Sequence, residues 1–213
     1  MTEHHQHSRG HGHGYLPAMG SDRLIRIYDP FTFLLGIPRA HRRLADQADV
    51  RPGARVLEIG TGTGNLALLV ARRTPDAEVA GIDPDPLALR IARGKSARRG
   101  LEVRWDRGSA TELPYPDESV DRVLSSLMFH HLGADEKAKT LSEVHRVLKP
   151  GGRLHLMDFT GQHTGIVRLV HRNNPHLDGN AADAISDAMR TAGLTDVLLV
   201  ERRGAMSYFR ATR

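Results

Sequence analysis

The residues with the clearest chemical purpose lie in Val56-Leu57-Glu58-Ile59-Gly60-Thr61-Gly62-Thr63-Gly64-Asn65, where an apolar run passes into three alternate glycines, and at Asp83, which closes the next apolar run. Glycine tolerates φ > 0 and carries no Cβ, so a strand can turn sharply into a helix while its amides stay open to a ligand. A carboxylate on the neighbouring strand suits a ribose, because its two acceptor oxygens match the spacing of a diol. Together these residues describe a nucleoside-binding crevice. The dinucleotide pattern G-x-G-x-x-G would require glycine at position 65, which is Asn65, and the third glycine comes one residue earlier. The spacing therefore favours a different adenosine cofactor. Two plainer readings stay open: the glycines as a bare strand-to-helix turn, and Asp83 as a helix N-cap ahead of Pro84-Asp85-Pro86.

The elements that must position this loop alternate. Strands are expected over 55–58, 79–82, 101–105 and 120–125, with helices over 65–73 and 86–98 between them. Alternation of this kind builds a parallel sheet with helices on its faces, an α/β fold. A helix over 135–148 should stop at Lys149-Pro150-Gly151-Gly152, followed by a strand over 153–158, a helix over 182–192 and two strands over 196–202 and 205–211. Ahead of the loop, residues 22–48 read as amphipathic helix broken near Pro30 and Pro38, a segment able to cover a cofactor. Residues 1–20 hold His4, His5, His7, His11 and His13 among Gly and Ser with no apolar period, and read as a flexible arm. The expected organisation is thus an arm over 1–20 and one domain over 21–213, made of a helical cap over 21–50 and a core over 51–213.

Beyond the loop, Gly108-Ser109-Ala110, Leu113-Pro114-Tyr115-Pro116-Asp117, Val120-Asp121, His130-His131 and Arg146-Val147-Leu148-Lys149-Pro150-Gly151-Gly152 follow in a fixed order. In these blocks the chain resembles the class I S-adenosylmethionine-dependent methyltransferases, whose E/D-x-G-x-G-x-G loop holds the aminoacyl end of the cofactor. With Tyr28-Asp29-Pro30 upstream, it looks most like the branch of ubiquinone/menaquinone-biosynthesis C-methyltransferases, over roughly residues 24 to 160. The resemblance implies a Rossmann-like, doubly wound sheet of seven strands in the order 3-2-1-4-5-7-6 with strand 7 antiparallel. Periodicity alone does not show that order.

The same resemblance assigns site residues. Glu58, Gly60, Thr61, Gly62 and Thr63 would carry the methionine portion of S-adenosylmethionine, Asp83 and Pro84 the ribose, Ser109 and Ala110 the adenine, and Ser126 would touch the cofactor from the end of strand four. Ser109 stands where relatives present Asp or Asn, so its shorter, neutral hydroxyl makes a weaker contact, or merely a turn. For Ser126 the alternative is a satisfied strand-end hydroxyl. His130 and His131, which follow strand four, are the candidate general bases, because histidine titrates near neutrality. The branch usually carries a different pair there, so pocket lining or loop packing stays open. Tyr28 falls where relatives place a lid tyrosine, with helix packing as its other reading. Phe31, Phe33, Phe129 and Phe159 suggest an apolar acceptor pocket, or ordinary core.

Composition narrows the class. The chain has 213 residues and no cysteine, which removes disulfides, thiolate nucleophiles and thiolate metal ligands. The core offers no metal site by spacing, whereas the arm's imidazoles could bind zinc, nickel or copper weakly. The net charge of +5 invites nucleic acid or an anionic substrate, yet Arg90, Arg93, Lys95, Arg98 and Arg99 also read as one solvated helix face. No N/D-P-P-Y/F block and no RNA-binding appendage accompanies that charge, so the partner expected is a small-molecule methyl acceptor. No apolar run is long enough to cross a bilayer, and a cytoplasmic protein is the default. The expected function is methyl transfer to a small, partly apolar molecule. The alternatives are a nucleic-acid methyltransferase, or a non-catalytic cofactor-binding or metal-handling protein acting through the arm.

Overall fold

The structure is a computed structural model that describes residues 36–160 and 181–213. The arm histidines, Tyr28, Phe31, Phe33 and the segment 161–180 lie outside the described residues.

A continuous apolar run makes β1 (Arg55–Ile59) the buried centre of the sheet, since four of its five residues are buried on both faces. Around it stand β2 (Glu78–Asp83), β3 (Arg104–Arg107), β4 (Val120–Ser126), β5 (Leu148–Phe159), β6 (Thr195–Arg203) and β7 (Met206–Thr212). The order is β3-β2-β1-β4-β5-β7-β6, with β7 antiparallel to both β5 and β6 and the other described pairings parallel. This is the expected seven-stranded order. The strand order reverses between β1 and β4, so a crevice opens outside their carboxyl ends.

Helices cover both faces. α1 (Ile37–Ala48), α2 (Asn65–Arg73) and α3 (Pro86–Arg99) pack on one side, around Val56, Leu124, Met157 and Tyr208. α4 (Ala134–Val147) and α5 (Ala182–Thr191) pack on the other, around Leu57, Val123, Leu154 and Phe209. In α1, Ile37, Ala40, Leu44 and Ala48 are buried at three- and four-residue spacing, and α1 lies along α2 and across β4 and β5. Among the described residues no helix is long and apolar enough to cross a membrane.

Several expectations are corrected or narrowed. Helix starts next to Pro38: α1 begins at Ile37 after Gly36 in the left-handed region, and Pro38 sits in its first turn, where its missing N–H costs nothing. β3 begins at Arg104 rather than at Leu101, because α3 runs on to Arg99 and Gly100 in the left-handed region ends it. Lys149-Pro150-Gly151-Gly152 is not a stop between helix and strand but part of β5, which starts at Leu148 and absorbs the irregularity as a register shift against Val120 and Arg122. Lys95 is not on a solvated face: it is 7% exposed, turned beneath the glycine loop. Of the two readings open for Phe129, ordinary core holds: it is packed between the sheet and α4.

Candidate functional site

The loop from Gly60 to Gly64 joins β1 to α2 with its three glycines at φ of 65°, 52° and 78°, a region that side chains with a Cβ rarely enter. Their surroundings differ in a way that marks the ligand side. A Cβ on Gly60 would meet Met128 Cγ at 2.2 Å, whereas one on Gly62 would meet nothing within 4 Å. Gly60 is therefore pressed against protein and Gly62 faces the open crevice.

Three buried polar groups hold the loop in place. Glu58 Oε2 accepts from Thr61 Oγ1 at 2.7 Å and from the Ala67 amide at 2.9 Å, supplying the cap that Gly64 cannot give α2. Burial pushes the Glu58 carboxyl up to about 8, against the two hydrogen bonds that lower it. Lys95 Nζ reaches across from α3 and donates to Thr63 O at 3.1 Å, Thr63 Oγ1 at 2.9 Å and Asn65 Oδ1 at 2.9 Å. At the end of β2, Asp83 is 8% exposed and accepts from Gly62 N at 2.8 Å through Oδ2 and from Asp85 N at 2.9 Å through Oδ1. The N-cap of α3 is Asp85, whose side chain accepts from the amides of Leu87 and Ala88, so Asp83 is released from that role. Burial holds the Asp83 carboxyl above its ordinary range, opposed by the amides of Asp85 and Gly62.

On the other side of the switch point, Ser126 ends β4 and its hydroxyl lies 2.9 Å from His41 Nε2 of α1. Desolvation, and then the charge of Lys95, pull the His41 imidazole down to about 4, so it stands there neutral. The next residue, Leu127, sits at φ 56° with its amide bonded to Met157 O. A branched residue held in that region marks strain at the rim of the crevice. The chain then forms a short helical turn, Phe129–His131. His130 is 1% exposed, its Nδ1 2.6 Å from Asp158 Oδ1 and its amide bonded to Asp158 Oδ2. His131 is exposed and lies over His130 with ring centroids 4.0 Å apart.

This arrangement agrees with the comparisons to known proteins. Residues 56–152 match the family described as methyltransferase domain. The demethylmenaquinone methyltransferase of Thermus thermophilus is 44% identical over 134 residues, covering 63% of this chain and 60% of that protein. The ubiquinone/menaquinone biosynthesis C-methyltransferase of Bordetella avium is 40% identical over 115 residues, 54% of this chain and 44% of that protein. A solved methyltransferase from Aquifex aeolicus, described as SAM dependent, superposes with a TM-score of 0.65 at 23% identity, over 81% of this chain and 87% of that one. Residues 56–152 thus carry a sequence similar to the methyltransferase domain family, on a fold shared with solved methyltransferases. The chain spans three fifths or less of the length of these two curated relatives.

The loop has room for S-adenosylmethionine: the open face of Gly62 gives a ligand space beside Asp83 and across from Ser126. The adenine end is less well furnished. Ser109 Oγ is spent on Thr111, 2.7 Å from its hydroxyl and 3.2 Å from its amide, while Ala110 is half-buried beside it. Asp106, the nearby carboxylate in the sequence, is held by the Tyr115 hydroxyl at 2.7 Å and by Arg104. Pro84 lends its carbonyl to Arg107 Nε at 3.4 Å. The structure therefore brings Glu58, Gly60, Thr61, Gly62, Thr63, Asp83 and Ser126 around one crevice, with Ser109 in a local turn at its edge. Sequence reasoning missed His41, Lys95 and Asp158. Nothing in the sequence around His41 sets it apart from the other polar residues of α1, but Asp158 stood at a predicted strand end and could have been found there.

Proposed function

We propose that this protein transfers a methyl group from S-adenosylmethionine to a small, partly apolar acceptor, and that the acceptor is a reduced quinone methylated on ring carbon. The observation that carries the reading is the open face of Gly62, set between the carboxylate of Asp83 and the Ser126–His41 pair where the strand order reverses. Similarity to the demethylmenaquinone methyltransferase of Thermus and the ubiquinone/menaquinone biosynthesis C-methyltransferase of Bordetella directs the acceptor towards quinone precursors.

The cofactor supplies an activated methyl on a sulfonium, so much of the acceleration comes from holding donor and acceptor in line. The chain's own residues then have three tasks. Lys95, Glu58 and Asp83 hold the loop in its left-handed turns so that it need not reorganise on binding. Asp83 offers the remaining lone pairs of its two oxygens to the ribose hydroxyls. A phenolic acceptor must also lose a proton to make its ring carbon nucleophilic, and of the histidine pair only His131 is exposed enough to take it. His130, buried on Asp158, acts on this reading as the strut that fixes the turn and presents His131. Tyr28, outside the described residues, stays a candidate for orienting the acceptor.

The test is turnover. The protein is incubated with S-adenosylmethionine and a short-chain reduced naphthoquinone lacking the ring methyl, and the product is followed by mass. Transfer of one methyl to carbon supports the proposal. Cofactor binding without transfer to this acceptor, but with transfer to simple phenols or amines, would keep the methyltransferase and remove the quinone.

A further inference from the structure

The face of the sheet beneath α1 carries a second group of polar residues that the crevice does not use. Arg122 on β4 is register partner to Arg153 on β5, and His155, two residues further along β5, is partner to Arg210 on β7. Side chains two apart on a strand share a face, and directly paired residues in neighbouring strands face the same way, so all four project to the side that α1 covers. Arg122 confirms the side by donating from Nε to Ala48 O at the end of α1, at 2.9 Å.

Away from Arg122, which donates to Ala48 O and Asp121 O, this group is poorly partnered. Neither Arg153 nor Arg210 makes an ion pair among the described residues, and Arg210 Nε is buried with no hydrogen-bond partner. His155 is 0% exposed, and neither of its ring nitrogens has a partner. Two carboxylates act on Arg122: Asp121, which is held by Lys149 Nζ and by the Arg55 amide, and the exposed Asp49. Buried donors with nothing to donate to are uncommon, because each costs its full desolvation. Arg210 Nε and the His155 ring are therefore the groups left to be satisfied, with Arg153 beside them outside any ion pair among the described residues and Arg122 adding positive charge.

We propose that Arg122, Arg153, Arg210 and His155 form a binding site for a phosphate-type oxyanion, separate from the cofactor crevice. A tetrahedral oxyanion has enough acceptor oxygens to serve three guanidinium forks, whereas a carboxylate has two. His155 and Arg210 stand level with Leu124, two residues and about 7 Å along the strand from Ser126 at the crevice edge, and Arg122 and Arg153 stand four residues and about 13 Å from it. The group also stands on β4, β5 and β7, whereas the glycine loop and Asp83 lie at the ends of β1 and β2, so a ligand centred between Arg153 and Arg210 is removed from both.

The experiment measures thermal unfolding and calorimetric binding of the full chain in sodium phosphate against sodium chloride at matched ionic strength, with pyrophosphate as a second arm. Phosphate is expected to raise the melting temperature in a saturable way at millimolar concentration, and chloride is not. Arg153→Gln and Arg210→Gln, both at partly exposed positions, are each expected to abolish the phosphate response while leaving S-adenosylhomocysteine affinity unchanged. Pyrophosphate binding more tightly than phosphate, with the same sensitivity to both variants, identifies a larger phosphate-bearing ligand. A phosphate response that survives in both variants, or that chloride reproduces, overturns the site.

Discussion

Exchanging Asp83 for asparagine separates two roles that the structure gives one carboxylate. In the folded chain Asp83 accepts from Gly62 N at 2.8 Å and from Asp85 N at 2.9 Å, one amide on each oxygen. Asparagine keeps one acceptor oxygen and turns an NH2 group towards the other amide, so one bond survives and one becomes a contact between donors. A buried donor left unsatisfied costs about 1–3 kcal/mol, and Asp83→Asn should lose stability on that scale. At the ribose, a charge-assisted hydrogen bond of about 1.5–3 kcal/mol gives way to a neutral one nearer 1 kcal/mol. The difference, about 0.5–2 kcal/mol, weakens the cofactor about 2- to 30-fold. Titration calorimetry of wild type and variant with S-adenosylhomocysteine and its 2′-deoxy analogue tests the assignment as a cycle. If the carboxylate meets the 2′-hydroxyl, the analogue and the variant each lose affinity and the combination loses little more. Fully additive losses would refute the ribose contact and leave Asp83 a loop fastener.

Four further outcomes follow from the same geometry. Lys95→Met strips the donor from Thr63 O, Thr63 Oγ1 and Asn65 Oδ1 and should cost about 2–4 kcal/mol in urea unfolding, with weaker cofactor binding as the loop loosens. Glu58 has a folded pKa near 8 against 4.5, so its contribution is full below pH 4.5 and is lost as pH rises through 8; wild-type stability should fall across that range by up to about 1.4 kcal/mol per pH unit, and Glu58→Gln should flatten the slope. His155 is held near pKa 3 against 6.5, by burial first and then by Arg122, Arg210 and Arg153; its contribution is full above pH 6.5 and is lost as pH falls towards 3, so His155→Leu should flatten the acid limb of the stability curve measured in chloride. His131→Ala should lower kcat about a hundredfold with cofactor affinity unchanged, while His130→Ala should lower the melting temperature as well, because it empties the Asp158 contact.

The fold was legible where local signals and burial agree. β1 and α2 stand close to where the apolar run and the glycines place them, because a strand buried on both faces must be apolar throughout and a turn through three left-handed residues needs glycine. Legibility ended where two signals compete. Pro150-Gly151-Gly152 is a strong stop in isolation, yet pairing of Leu148 with Val120 before it and backbone bonds between Arg213 and both Gly151 and Gly152 carry the strand through, with Pro150 and Gly151 exposed. Leu101 and Val103 look like the opening of β3, but only Arg104–Arg107 pairs with β2.

The candidate site divides the same way. Residues whose backbone geometry or strand-end position is unusual could be found: Gly60 and Gly62 through their turns, Asp83 and Ser126 through the ends of β2 and β4. What supports them could not, because Lys95 and His41 owe their importance to distances between elements far apart in the chain, 32 residues to Thr63 and 85 to Ser126. Charge pattern even pointed the wrong way for Lys95, since a cation flanked by Arg93, Arg98 and Arg99 reads as solvated face until one turn of α3 is found to roll inward. The same reasoning explains why the arginines around His155 escaped notice. Singly, Arg122, Arg153 and Arg210 are ordinary surface residues of three different strands; only the register of β4, β5 and β7 brings them to one place, and only burial shows that the imidazole among them has no partner. Pairings across the sheet, rather than neighbours along the chain, are thus where an activity-bearing or ligand-bearing cluster hides from a sequence, and in this chain both the crevice and the proposed anion site are closed by such pairings.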